Sequence, residues 1–173
     1  MNDEHFEKMK IHVYPDSVLR KKADPVMDID GAFQAFVDGM IRTMHAAPGI
    51  GLAANQVGNL LRVIVFESNP RKEEKSPLVL VNPEIVDGEG KIVHEEACLS
   101  VVDFSAEVTR MAQVSVKGFD RDGKPLTIDA EGLLAICLQH EIDHLEGTLY
   151  IDHISSLKRA LYKKKLKKKQ KGS

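Results

Sequence analysis

From Asp30 onward the apolar residues Phe33, Phe36, Val37, Met40, Ile41 and Met44 recur every three or four positions, the spacing of one helix face. Asp30 stands where an N-cap belongs, and Pro48 with Gly49 ends the pattern. The stretch PGIGLAANQVG, from Pro48 to Gly58, is predicted to be a loop. Beyond it the period shortens. LRVIVFES from Leu61, then LVLVNPEIV and KIVHEE, are β-branched and apolar and predict strands, parted by a turn around Gly88 and Gly90. EVTRMAQVSVKGFD alternates as one long strand, RDGK supplies a hairpin turn and PLTIDA returns. Helical spacing comes back from Ala130 to Leu145, closed by Gly147. A last amphipathic stretch opens at Ser155 or Ser156, with Leu157 and Leu161 as its docking residues and lysines outside. Ahead of all these, Pro15 and Pro25 predict an irregular arm.

These elements sum to an α+β domain. Antiparallel or mixed sheets surround a central helix, with one helix before them and one after, and no βαβ rhythm. At 173 residues the chain has the length of one domain with a real core. Its last segment differs in kind: from Lys158 to Ser173 there are nine Lys or Arg and no acid. The first 157 residues therefore hold 15 basic against 26 acidic side chains, about −11. This divides the chain into a body, 1–157, and a basic helical tail, 158–173. No apolar run approaches the roughly 18–20 residues that span a bilayer. The start, MNDEHFEKMK, lacks the apolar stretch of a signal peptide. Residence in the cytoplasm is the resulting expectation, and there Cys98 and Cys137 are not expected to form a disulfide. Each is then either a buried apolar thiol or a metal-ligating or catalytic thiolate.

The central helix carries His140-Glu141-Ile142-Asp143-His144, an H-E-x-x-H sequence. Residues four apart share a helix face, so both imidazoles can reach one metal, with Glu141 close enough to handle the proton of a water activated there. By itself this short motif is equally compatible with chance. Its context argues for a site: Leu133, Cys137, His140 and His144 lie on one stripe, at offsets 0, 4, 7 and 11. A buried pair of imidazoles beside a carboxylate needs partners, and a metal supplies them. Catalytic metals usually take three protein ligands. Downstream, Glu146 and His153 sit at the wrong offsets for a third, so it is better sought upstream. Cys98, among the polar neighbours Glu95, Glu96 and Ser100, suits that role better than Cys137, which lies in the apolar run of the helix.

Three segments, GIGLAANQ (Gly49 to Gln56), EACLS (Glu96 to Ser100) and QHEIDHLEG (Gln139 to Gly147), resemble the signature motifs of peptide deformylases, in the same order and at similar separations. The resemblance runs from LRKKADPV near Leu19 to the C-terminal helix and includes FDRDGKPL. It implies a metal-dependent hydrolase that removes the N-formyl group from the formyl-methionine of nascent polypeptides, releasing formate. Cys98, His140 and His144 then correspond to the metal ligands, typically of Fe(II), with Zn(II) or Ni(II) able to substitute. Glu141 corresponds to the general acid–base. The Gln56 side chain and the Leu99 backbone N–H correspond to donors that stabilise the oxyanion. Gly49, Ile50, Gly51, Ala97, Leu133, Ile136 and Cys137 correspond to the substrate-binding walls, apolar around a flexible methionine thioether.

Departures from the family pattern cluster in one segment. Ala97 replaces a usual Gly, His94 replaces an apolar pocket residue, and Ser100-Val101-Val102-Asp103-Phe104 lacks a usual proline. A basic residue is also missing near Ser105, whereas Arg110 fits the pattern and is expected to pair with Glu96. An alternative is therefore a deformylase-like paralogue with altered peptide preference or reduced activity, bound to the ribosome. The basic tail implies attraction to RNA phosphates, with the ribosome near its exit tunnel as partner. It has too few large apolar residues to anchor in a membrane.

Overall fold

The computed structural model describes residues 8–172; the expectation about the amino-terminal start falls partly on residues 1–7, outside the described range. Helix α1 spans Gly31–Ala46, with the Asp30 carboxylate accepting the Phe33 N–H as the predicted cap. Strands β1 (Gly51–Ala53), β2 (Val63–Glu67), β3 (Pro77–Glu89), β6 (Gln113–Phe119) and β7 (Pro125–Glu131) form one sheet in the order β1-β2-β3-β6-β7. Strands β4 (Ile92–Cys98) and β5 (Val101–Arg110) form a separate two-stranded sheet. Every strand pair is antiparallel. Helix α2 spans Gly132–Leu145 and α3 spans Ser156–Lys171.

The central sheet is covered on both faces, which is why β2 is buried at every residue rather than alternating. Val63, Val65, Val79 and Val81 face α1, against Phe33, Val37, Met40 and Met44. Ile64, Phe66, Leu80, Val114 and Val116 face α2, against Ala135, Leu138, Ile142 and Leu145. Helix α2 is thus wedged between the large sheet and the β4–β5 hairpin, the central position expected of it.

Four local expectations change. The Pro48–Gly58 stretch is not all loop: it holds β1 and a 3-10 turn over Ala54–Val57. The strand at LVLVNPEIV runs on through Gly88 to Glu89, and the turn is confined to Gly90, at φ 70°, and Lys91. Helix α2 starts at Gly132 rather than Ala130, because β7 extends to Glu131. The long strand from Glu107 to Asp120 is two strands, broken at Met111 and Ala112 where the chain crosses between the sheets. At the break Gln139 of α2 accepts the Met111 N–H at 3.0 Å and donates to the Met111 carbonyl at 2.9 Å, replacing the lost ladder partners.

The tail helix also docks differently. Ser155 caps it as expected, but Leu157 and Leu161 stay 70% and 59% exposed. Tyr162 is the buried residue, its ring 4.6 Å from Phe104 and 6.0 Å from Tyr14, and Leu166 packs against the same cluster. An aromatic gains more by burial than a leucine, so it sets the helix phase. Lys165 donates to the Asp103 carbonyl, and Lys169 pairs with the Asp103 carboxylate.

Candidate metal centre

Cys98 ends β4 where the hairpin turns through Leu99 and Ser100, and α2 brings His140 and His144 up from below. One ligand atom from each of the three residues lies within 4.8 Å of the others. The Cys98 sulfur is 3.3 Å from His144 Nε2, and it accepts from the Ser100 N–H at 3.4 Å and from Gln56 Nε2 at 3.6 Å. Ligand atoms around a tetrahedral ion held at about 2.0–2.3 Å are roughly 3.3–3.8 Å apart; the Cys98–His144 pair meets that spacing, and the three atoms are close enough together to hold one ion. The mixture of one thiolate and two imidazoles suits Zn, Fe or Ni and does not choose among them.

The imidazole of His140 is oriented for such a role. Its Nδ1 contacts Glu96 Oε1 at 2.8 Å, which leaves Nε2 turned to the other ligands. Glu96 is held in turn by Arg110, through Nε–Oε2 at 2.8 Å and Nη2–Oε1 at 2.9 Å, so the pairing expected from the sequence is present. Arg110 reaches on to Asp143 Oδ2 at 2.6 Å, and His153 Nε2 contacts the same oxygen at 2.9 Å. Burial alone would raise the Glu96 carboxyl, but Arg110 and His140 outweigh it and hold it at about 2. Burial would likewise lower the His140 imidazole, yet Cys98 and Glu96 lift it well above its usual range. His144 has no such carboxylate; burial and the neighbouring His140 push it well down. Its Nδ1 is buried and unpartnered among the described residues, as is Glu141 Oε2.

Glu141 is 5% exposed, and burial pushes its carboxyl up to about 7, with His140 pulling the other way. The carboxyl stands at the floor of a cleft of about 740 Å³ whose walls include Ile50, Leu133, Ile136 and Cys137. Gly49, Gly51, Gln56, Ala97, Cys98, Leu99 and His140 line the same cleft, while His144 lies beneath it, 1% exposed. Every candidate site residue thus falls at one place. Gln56 is not the surface amide that a loop position alone would give: it is 2% exposed, with Oε1 accepting from the Ala53 N–H and Nε2 donating to Ser100 Oγ at 3.1 Å. Cys137 is a buried thiol, pushed well up by burial, with its sulfur against the Ile50 carbonyl. Ala97 is exposed on the lip and has no positive φ, so its methyl group is carried without backbone strain. His94 also lies on the lip.

Three features escaped the sequence reading: the Asp143–His153 extension, the Gln139 clasp on Met111 and the Ser100 contact with Gln56. The last two join residues 28 and 44 apart and the first spans a helix end, so spacing carries no trace of them. Gly51 has no room for a side chain. A Cβ there would sit 2.8 Å from both Cys137 Sγ and Glu141 Oε1, closer than real contacts allow. Gly51→Ala should therefore displace the Glu141 carboxyl or the Cys137 sulfur, a shift that a structure of the variant would show.

A family model described as "Polypeptide deformylase" matches residues 8–160. A peptide deformylase from Thermodesulfovibrio yellowstonii is 54% identical over 162 residues, covering 94% of this chain and 98% of that protein. One from Syntrophobacter fumaroxidans is 51% identical, covering 94% and 96%. Among solved structures, a peptide deformylase from Legionella pneumophila has a TM-score of 0.88 at 46% identity, covering 95% of this chain and 96% of that one. A peptide deformylase from Ehrlichia chaffeensis in complex with actinonin has a TM-score of 0.87 at 38% identity, covering 93% and 96%.

Proposed function

The chain belongs to the polypeptide deformylase family, hydrolases that remove the N-formyl group from formyl-methionyl peptides, and we propose that Glu141, Gln56 and Leu99 carry that hydrolysis beside a metal held by Cys98, His140 and His144. A single metal suits the Cys–His–His group. The observation that carries the assignment of roles is the buried Glu141 carboxyl, with an unpartnered oxygen, next to that group. When bound, a divalent cation supplies Lewis acidity and lowers the pKa of water at the site toward about 7.

The protein's own groups do the rest. Glu141 accepts the proton of the attacking water and returns it to the departing amine, a task that suits a carboxyl near neutrality. Gln56 Nε2 and the Leu99 N–H supply fixed dipoles where negative charge develops on the formyl oxygen. Ala53 holds Gln56 through Oε1, and Nε2, which donates to Ser100 Oγ and Cys98 Sγ, turns from one of those contacts to reach the formyl oxygen. Ile50, Leu133, Ile136 and Cys137 form an apolar wall that fits the methionine side chain and excludes water. Gly49, Gly51 and Ala97 let the peptide backbone approach from the lip.

Fe(II) is the ion we assign, following the resemblance to the family, with Zn(II) and Ni(II) as substitutes. Metal analysis of anaerobically prepared protein tests that choice directly. The basic tail, 158–173, with nine Lys or Arg, is read as an arm for RNA phosphates near the ribosomal exit, separate in role from the body, 1–157. A cytoplasmic setting accords with a nascent-chain substrate. Among the described residues no helix is long and apolar enough to cross a membrane.

Relatives and cleft together support hydrolysis, and not the alternative of a paralogue with reduced activity. The test is formate release from formyl-Met-Ala-Ser by protein loaded with Fe(II) or Ni(II) under anaerobic conditions. Turnover that vanishes on chelation and returns with metal is expected. An inert protein at full metal occupancy would refute the reading.

A further inference from the structure

Glu67 plays no part in the chemistry above, yet this acid is 2% exposed at the end of β2. A carboxylate at that depth is costly unless partnered, and its partners are specific. Oε1 contacts His45 Nε2 at 2.5 Å, in the last turn of α1. Oε2 accepts the Ser76 N–H at 2.8 Å. The Glu67 N–H donates to the Ile50 carbonyl at 2.9 Å. Between His45 and Ile50 the Ala47 N–H donates to the Thr43 and Met44 carbonyls at 3.1 and 3.3 Å, and the Gly49 N–H to the Met44 carbonyl at 2.8 Å. Glu67 therefore grips the cleft wall at two points, through the helix that leads into it and through its middle residue.

That wall has little room to move. A Cβ on Gly49 would lie 3.2 Å from the Leu99 side chain, and one on Gly51 would lie 2.8 Å from Glu141 Oε1. Gly49–Gly51 is thus pressed between Glu67 behind and the reacting groups in front. We propose that His45 and Glu67 are a positioning pair that sets this wall at its distance from Glu141 and Leu99, and so governs how tightly the formyl-methionyl peptide is held. Neither residue lines the cleft. The inference rests on the hydrolase reading of the cleft.

The experiment compares His45→Ala, His45→Gln and Glu67→Gln by steady-state kinetics on formyl-Met-Ala-Ser, with metal content and thermal unfolding measured on each metal-loaded protein. Glutamine at position 45 can place an amide donor where Nε2 stands but carries no charge. In His45→Ala, KM should rise about tenfold with kcat within about threefold of wild type, the signature of lost binding rather than lost chemistry. Metal content should match wild type, and His45→Gln should restore KM. Glu67→Gln should raise KM in the same direction, and if it fails to fold the two His45 variants still decide the matter. An unchanged KM in His45→Ala, with only a lower unfolding temperature, overturns the proposal by showing a purely structural contact. Equal losses in kcat and kcat/KM, or a His45→Gln protein as impaired as His45→Ala, overturn it too. Failure of the wild type to release formate would instead strike the hydrolase reading, so the two failures are distinguishable.

Discussion

Glu141→Gln is expected to lower kcat/KM on formyl-Met-Ala-Ser by about 10³–10⁴-fold, at the upper end of what a general acid–base contributes, while fold and metal content are retained. Glutamine has nearly the same shape and touches the same cleft walls, so binding should survive. What it lacks is the ability to take a proton and give it back. The stability consequence has the opposite sign. Glu141 has an unpartnered buried oxygen, and burial pushes its carboxyl up to about 7 from 4.5. A raised carboxyl costs the folded state stability as pH climbs from about 4.5 through about 7, because the unfolded chain ionises more readily there. Metal-free Glu141→Gln protein should therefore unfold at a higher temperature than metal-free wild type at pH 8, and the gap should close at pH 4. Such an exchange of stability for activity is what a group held in an unfavourable environment for chemistry produces. Full activity in the glutamine variant would remove Glu141 from the mechanism.

The local chemistry of this chain was legible in its sequence wherever it depended on neighbours in sequence. H-E-x-x-H places two imidazoles and a carboxylate on one stripe because helix geometry fixes the offsets, and Asp30 and Ser155 cap their helices for equally local reasons. The third ligand was less determined. Cys98 stands 42 residues from His140 and 46 from His144, and only polar flanks and the family resemblance singled it out. Where tertiary contacts decide, pattern reading fell short. Alternation through Met111 could not reveal that the chain changes sheets there, since Gln139 supplies the missing backbone partners from another element. Helical spacing in the tail pointed to Leu157 and Leu161. The cluster of Tyr14, Phe104 and Tyr150, assembled from three distant segments, selects Tyr162. Those same contacts tie the tail to Phe104 and Asp103, which line the cleft.

Arg110→Ala should be the most destabilising single change in the hairpin, because it leaves the buried Glu96 carboxylate with only the His140 imidazole as partner. Arg110 is 6% exposed and Glu96 4%, and they share two hydrogen bonds. Removing one member of such a pair costs about 3–5 kcal/mol, which in a chain of this size lowers the unfolding temperature by roughly 10 °C. The damage should extend to the metal. Glu96 orients His140 through Nδ1, and loss of an outer partner of this kind weakens metal affinity by about 10–100-fold. The double variant Glu96→Gln with Arg110→Met separates the two effects. With both charges gone it should recover most of the stability, since apolar replacement of a buried pair is often neutral, yet its metal affinity should stay low because the carboxylate partner of His140 is missing. Acid titration gives a third readout. The Glu96 carboxyl is held at about 2 rather than 4.5, so its contribution is fully present above about 4.5 and is lost as pH falls toward about 2. Wild type should show that acid-labile component and the double variant should lack it. If Arg110→Ala unfolds at the wild-type temperature and binds metal as tightly, the chain from Arg110 through Glu96 to His140 has no energetic role, and the orientation of His140 must come from the packing of α2 alone.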